Sequence, residues 1–187
     1  GGIVGRLRSV MHIEKCFNDS DITVNVQNAD HYIVAGGIIG SMDTTHVHEC
    51  YNSGNITLPV QEGNHEDTWH SLVAGGICGR ATIPEIPGIY HKDAESSSYI
   101  LNCYNTGTIT SRSASGIFGF SSSDIHLENC YNTGKIVGNQ FDNNNGYFTI
   151  NNIFSGACGI APYGTEYVRN CTTNGNAVTG SAWKSSS

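Results

Sequence analysis

Residues 102–110 read NCYNTGTIT, and 27 residues further on, 129–137 read NCYNTGKIV. A chain that spells nearly the same nine letters twice is searched first for internal repeats, because a missed repeat misassigns the whole fold. With the Cys as anchor, five copies emerge: Cys16-Phe-Asn, Cys50-Tyr-Asn, Cys103-Tyr-Asn, Cys130-Tyr-Asn and the degenerate Cys171-Thr-Thr. Four residues after each Cys come Ser20, Gly54, Gly107, Gly134 and Gly175, and two further on come Ile22, Ile56, Ile109, Ile136 and Ala177. Three before each Cys sit Ile13, Val47, Ile100, Leu127 and Val168. A second motif precedes each copy: GGIVG at 1–5, GGIIG at 36–40, GGICG at 75–79, SGIFG at 115–119 and SGACG at 155–159.

The steps between the anchor Cys residues are 34, 53, 27 and 41 residues. A minimal unit of 27 residues carrying variable insertions is the signature of a solenoid, in which insertions leave a stacked coil as loops. The apolar pieces are short and bounded by Gly, which suits strands with Gly at the corners better than helices. No coil can bury its apolar face alone, so each must stack on the next at about 4.8 Å. The expected fold is therefore all-β: a right-handed, parallel β-helix-like solenoid of about five coils over residues 1–180, with a Ser-rich tail or linker at 181–187. The chain opens in the middle of a repeat, as a piece of a longer protein would.

Stacking explains why the letters recur. Equivalent side chains lie over one another, so identical residues form ladders. The expected ladders are the five cysteines (Cys16, Cys50, Cys103, Cys130, Cys171), an aromatic column (Phe17, Tyr51, Tyr104, Tyr131) and two Asn columns. One Asn column is Asn102, Asn129 and Asn170; the other is Asn18, Asn52, Asn105 and Asn132. Amides bonded along the axis satisfy backbone groups at corners, and the Gly four places after the Cys is expected to supply a positive φ for the turn.

Composition narrows the function. Charged residues are only 13% and the net charge is −7, which lacks the basic stripe that nucleic acid needs. No apolar run reaches the 18 or so residues of a membrane span, and nothing implies a cofactor.

The paired motifs resemble the GLUG-motif repeat family. Its units read roughly as two Gly, two aliphatic residues and Gly, a short segment, then Asn-Cys-Tyr-x-x-Gly-x and Ile or Val. The best matches are 36–40 with 50–56, 75–79 with 102–109, and 116–119 with 129–136, and the likeness covers most of the chain. The resemblance implies a secreted or surface-anchored bacterial protein, an adhesin or a stalk beside a separate catalytic domain, and it carries over no catalytic residue. Long insertions after Leu58 and Gly79 depart from the pattern, and decay at Thr172 and Ala177 reads as a terminal cap.

Sharper signals are weighed against this. Seven cysteines in a secreted chain invite disulfides, yet five in one ladder phase suit small buried side chains. Coil spacing leaves a Cys103–Cys130 bridge open, whereas Cys78 and Cys158, read as one phase with the Phe118 coil between them, lie too far apart to pair. His65 and His70 are spaced i and i+5, not the i and i+4 of a zinc-binding helix. His46 and His48 share one side of a strand without a third ligand, so no metal site is expected. The acids are scattered, which disfavours the alternative of a β-helix enzyme, a lyase or glycoside hydrolase acting on polysaccharide. Thr-x-Thr rows are too few for a flat ice-binding face.

What remains is a non-enzymatic extracellular or cell-surface segment. It is expected to bind a glycan or a partner protein through its insertions, or to act as a stalk among flanking repeats. Insertions at 58–73, 81–98 and 138–154 carry the candidate ligand-binding residues Trp69, His65, His70, Tyr90, Phe141 and Tyr147. Rings stack on sugar faces while amides and carboxylates bond hydroxyls.

Overall fold

Each short apolar run of the repeat forms a strand of two to four residues, and every strand pairs in parallel with its equivalents one repeat away. The computed structural model describes residues 1–8, 11–25, 33–59, 72–81, 97–121, 125–138, 156–158, 160, 167–173 and 177–178. Coil one comprises Val4–Leu7 (β1), Met11–Glu14 (β2), Phe17–Asn18 (β3) and Ile22–Thr23 (β4). Coil two comprises Ile33–Gly36 (β5), Ile39–Met42 (β6), Thr45–His48 (β7), Tyr51–Asn52 (β8) and Ile56–Thr57 (β9). Coil three runs through Leu72–Gly75 (β10), Cys78–Ala81 (β11), Ser98–Leu101 (β12), Tyr104–Asn105 (β13) and Ile109–Thr110 (β14). Coil four has Ser113–Ser115 (β15), Phe118–Ser121 (β16), Ile125–Glu128 (β17), Tyr131–Asn132 (β18) and Ile136–Val137 (β19). Coil five has Gly156–Cys158 (β20), Tyr167–Arg169 (β21), Thr172–Thr173 (β22) and Ala177–Val178 (β23).

The strands assemble into five sheets running along the stack: β1-β6-β11-β16, β5-β10-β15-β20, β2-β7-β12-β17-β21, β3-β8-β13-β18-β22 and β4-β9-β14-β19-β23. The fold is a parallel β-solenoid. Its register follows the Cys-anchored alignment: Tyr104 pairs with Tyr51 on one side and Tyr131 on the other, and Ile109 with Ile56 and Ile136. The insertions do not disturb this register, but they are shorter than expected at their edges. Leu58, Leu72, Val73, Ala81 and Ser98 are buried in the coils rather than belonging to loops.

Alternation along the strands fills the interior. In β7, Thr45 and Val47 point in while His46 and His48 point out, as a period of two requires. One core cluster stacks Ile38, Ile77 and Ile117 beside Val47, Ile100 and Leu127; a second stacks Ile56, Ile109 and Ile136 on Ala35, Ala74 and Ala114. Each fully buried Ile is worth about 1.5–3 kcal/mol relative to exposure.

The structure corrects two expectations. The Gly four places after the Cys is not the left-handed residue. That conformation belongs to the residue just before the Cys: φ is 53° at Lys15, 52° at Glu49, 54° at Asn102, 53° at Asn129 and 51° at Asn170. Asn tolerates this region through local amide bonds, which accounts for three of the five identities. Gly54 and Gly107 are needed for another reason. A Cβ on Gly107 would lie 2.0 Å from the Gly54 carbonyl oxygen, so the chains approach too closely for any side chain.

The second correction concerns coil five. Ser115 pairs with Cys158, not Ser155, and the Ile117 N–H donates to the Ile160 carbonyl. The fifth copy of the glycine motif is therefore CGI at 158–160, three residues later than the motif alignment places it. Ile160, only 7% exposed, joins the cluster that contains Ile38, Ile77 and Ile117, whereas the motif alignment puts Ala157 in that row. Burying the larger apolar side chain decides the register. Cys158 therefore does not share a phase with Cys78, which pairs with Ile39 and Phe118.

Candidate interaction surface

Two inward and two outward columns run along the stack, with a corner row between the outward pair. Inside, Asn18, Asn52, Asn105 and Asn132 each donate one amide hydrogen to a carbonyl two residues on: Ser20, Gly54, Gly107 and Gly134, at 2.7–2.9 Å. The second hydrogen goes to the next coil: Asn18 to Asn52 Oδ1 (2.8 Å), Asn52 to Asn105 (2.7 Å) and Asn105 to Asn132 (2.7 Å). Thr173 receives the last of these bonds, from Asn132 at 3.4 Å. A buried amide must be satisfied, and this column satisfies itself.

Beside it stands the cysteine column, and all the described cysteines (16, 50, 78, 103, 130 and 171) are free thiols. Each thiol of the column donates to the carbonyl two residues before it, as Cys50 does to His48 and Cys103 to Leu101. Hydrogen bonds with Cys130 and then Cys50, reinforced by burial, raise the Cys103 thiol above its ordinary range. Burial pushes Cys78 up to about 12.

Outside, the aromatic column faces solvent. Phe17, Tyr51, Tyr104 and Tyr131 stack with centroids 5.2, 4.9 and 4.9 Å apart and planes within 7° of parallel. Parallel stacking along the axis covers the ring faces, so the column offers solvent its ring edges and, from the Tyr residues, a row of phenol hydroxyls. A second outward column was not anticipated from the sequence. His12, His46, Tyr99, His126 and Tyr167 sit in register on one sheet, with centroids 4.8–5.3 Å apart. His46 stands nearly perpendicular to both neighbours, at 87° to His12 and 82° to Tyr99. The signal was present: the position four before each anchor Cys is His, His, Tyr, His and Tyr. Desolvation, followed by the neighbouring His12 charge, lowers the pKa of His46 below the usual imidazole range.

Between these columns runs the corner. Asn170 donates to Asn129 Oδ1 at 3.2 Å, Asn129 to Asn102 Oδ1 at 3.0 Å, and the Asn102 amide meets His48 Nε2 at 2.7 Å. Lys15 and Glu49 continue the row with an ion pair at 3.9 Å. His48 and His46 both face outward, and among the described residues no three metal-ligating groups converge. Glu128 lies beside Arg169 at 3.8 Å rather than beside a second acid. The loop candidates His65, Trp69, His70, Tyr90, Phe141 and Tyr147 lie outside the described residues, as does the Ser-rich tail.

The fold and its ladders thus define a parallel β-solenoid with two outward columns of aromatic and imidazole side chains. Comparisons of the chain with protein-family models, with curated proteins and with solved structures find no match.

Proposed function

We propose that this chain is a non-enzymatic extracellular or cell-surface segment of the GLUG-repeat kind, which engages a glycan or a partner protein along its side. The observation that carries this reading is the pair of solvent-facing columns, Phe17–Tyr51–Tyr104–Tyr131 and His12–His46–Tyr99–His126–Tyr167, with rings spaced at 4.8–5.3 Å. The interior Asn column bonds to itself and to its own turns, whereas these outward rings leave hydroxyls and imidazole nitrogens facing water. Rigid aromatic side chains with a polar tip bind at low entropic cost. Their even spacing suits a partner whose own groups repeat along its length. Trp69 and Tyr147, outside the described residues, remain candidate ligand-binding residues in this reading.

A glycan array with the intact chain tests the proposal, together with Tyr99→Ala, Tyr104→Ala, Trp69→Ala and Tyr147→Ala variants. Retention lost on replacing Tyr99 or Tyr104 supports the column face, and retention lost only with Trp69 or Tyr147 moves binding to the loops. No retention on any glycan, and no capture by a panel of extracellular proteins, overturns the binding reading and leaves a stalk.

A further inference from the structure

The two ends of the stack differ from its middle. Of the six large exposed apolar side chains among the described residues, five lie there: Ile3, Met11 and Phe17 in coil one, Tyr167 and Val168 in coil five; the sixth, Tyr131, belongs to the outward aromatic column. Among the described residues, strands β2, β3 and β4 pair only with coil two, and β21, β22 and β23 only with coil four. The register fixes which backbone groups this leaves unused. The N–H of Tyr51 reaches back to the Cys16 carbonyl, that of Tyr104 to Cys50 and that of Tyr131 to Cys103. The Phe17 N–H points the same way, towards a coil that no described residue supplies. Unpaired parallel edges of this kind are templates for another strand.

We propose that the chain stacks head to tail on a second copy of itself, coil five of one copy seating on coil one of the next. The registers at the two ends are complementary. Continuing the stack by one step places Val168 on Ile13, Tyr167 on His12 and Cys171 on Cys16, which extends the interior, imidazole–aromatic and thiol columns already built within each copy. Arg169, which lies 3.8 Å from Glu128, comes to stand over Glu14 as well, so opposite charges face each other across the junction. The Asn ladder also closes. Thr173 Oγ1 accepts from Asn132 within its own copy, and its hydroxyl hydrogen is then available for Asn18 Oδ1 of the next. On the corner row, the Lys15 ammonium can donate to Asn170 Oδ1, as the amides of Asn170 and Asn129 donate to Asn129 Oδ1 and Asn102 Oδ1 within one copy. Such an interface is heterologous and does not close, so it builds linear filaments rather than a defined dimer.

Sedimentation velocity and negative-stain microscopy of the intact chain over a wide concentration range test this. The expected result is growth into linear oligomers with rising concentration. Glu14→Arg and Arg169→Glu each place like charges at the junction, and each should weaken association about tenfold. Both positions are on the surface, so circular dichroism of each variant should match that of the parent. An equimolar mixture of the two variants should regain wild-type association. Where the two alternate, one junction pairs the native Arg169 with the native Glu14, and the next pairs the two introduced side chains, again of opposite charge. A monomer at every concentration overturns the proposal. So do single variants that associate as well as wild type, or a mixture that associates no better than its components.

Discussion

Replacing Asn105 by Ala tests whether the interior amide column holds the stack together. The side chain is fully buried and makes three bonds: it donates to the Gly107 carbonyl (2.8 Å) and to Asn132 Oδ1 (2.7 Å), and it accepts from Asn52 (2.7 Å). Truncation leaves the Gly107 carbonyl without that donor and the Asn52 amide with one acceptor in place of two. Asn132 Oδ1 retains the Gly134 N–H at 3.2 Å. With each lost bond worth about 1–1.5 kcal/mol and a buried group left unsatisfied, the cost is about 3–5 kcal/mol. That is a large fraction of the roughly 5–15 kcal/mol typical of a whole domain. The control is Asn18→Ala in the first coil, where two donated bonds are lost but no neighbouring amide loses its acceptor, and the expected cost is about 2–3 kcal/mol. Asn105→Asp should be worse than Ala, because a carboxylate cannot donate to the Gly107 and Asn132 oxygens and would be buried charged. Urea unfolding followed by circular dichroism measures all three. If Asn105→Ala and Asn18→Ala cost the same, or the Asp variant is tolerated, the column is not a continuous network and the reasoning fails.

Four further outcomes follow from the same geometry. Gly107→Ala puts a methyl group 2.0 Å from the Gly54 carbonyl oxygen, so coils two and three must part; a loss of about 3 kcal/mol or more is expected in the same urea assay. Glu49→Asn should raise the melting temperature, gaining up to about 1 kcal/mol, because Asn suits the left-handed corner that Glu occupies at φ 52°. His46 binds its proton more weakly folded than unfolded, so its contribution to stability is fully present above the unfolded pKa near 6.5 and is lost as pH falls through the lower folded value. His46→Gln should therefore flatten the stability profile on the acid side of pH 6.5, which denaturation at a series of pH values would show. A thiol reagent applied to the native protein should spare Cys50, Cys78, Cys103 and Cys130, all fully buried, and label them only as the fold opens. Rapid labelling of Cys103 by mass spectrometry in the folded state would contradict that burial.

Self-similarity made most of the fold legible, because stacking in register rewards the same residue at the same place in each coil. Cys, Tyr, Asn and Ile recur on one spacing from Cys16 to Ile136, and those columns are the ones the structure stacks. What escaped are positions where physics constrains the backbone or the exposure rather than the identity. The left-handed corner holds Lys, Glu and three Asn, so its shared conformation leaves no single letter to find, and the conspicuous glycines nearby answer to close approach instead. The outward column mixes His with Tyr, which only a reading by flat-ring character would align.

Coil five shows the opposite failure. SGACG at 155–159 looks like the motif, yet burial of Ile160 beneath Ile117 sets the register three residues further on. A local match lost to a core contact, as it must when the matching letters are mainly Gly and carry little apolar surface. The same weighing applies to the surface reading. The columns are held by the fold itself, whereas Trp69 and Tyr147 lie outside the described residues. If partner binding tracks Tyr99 and Tyr104, every coil added to the stack adds a binding element. If it tracks the loop residues, the solenoid is only their support, and its outward rings are there to stack.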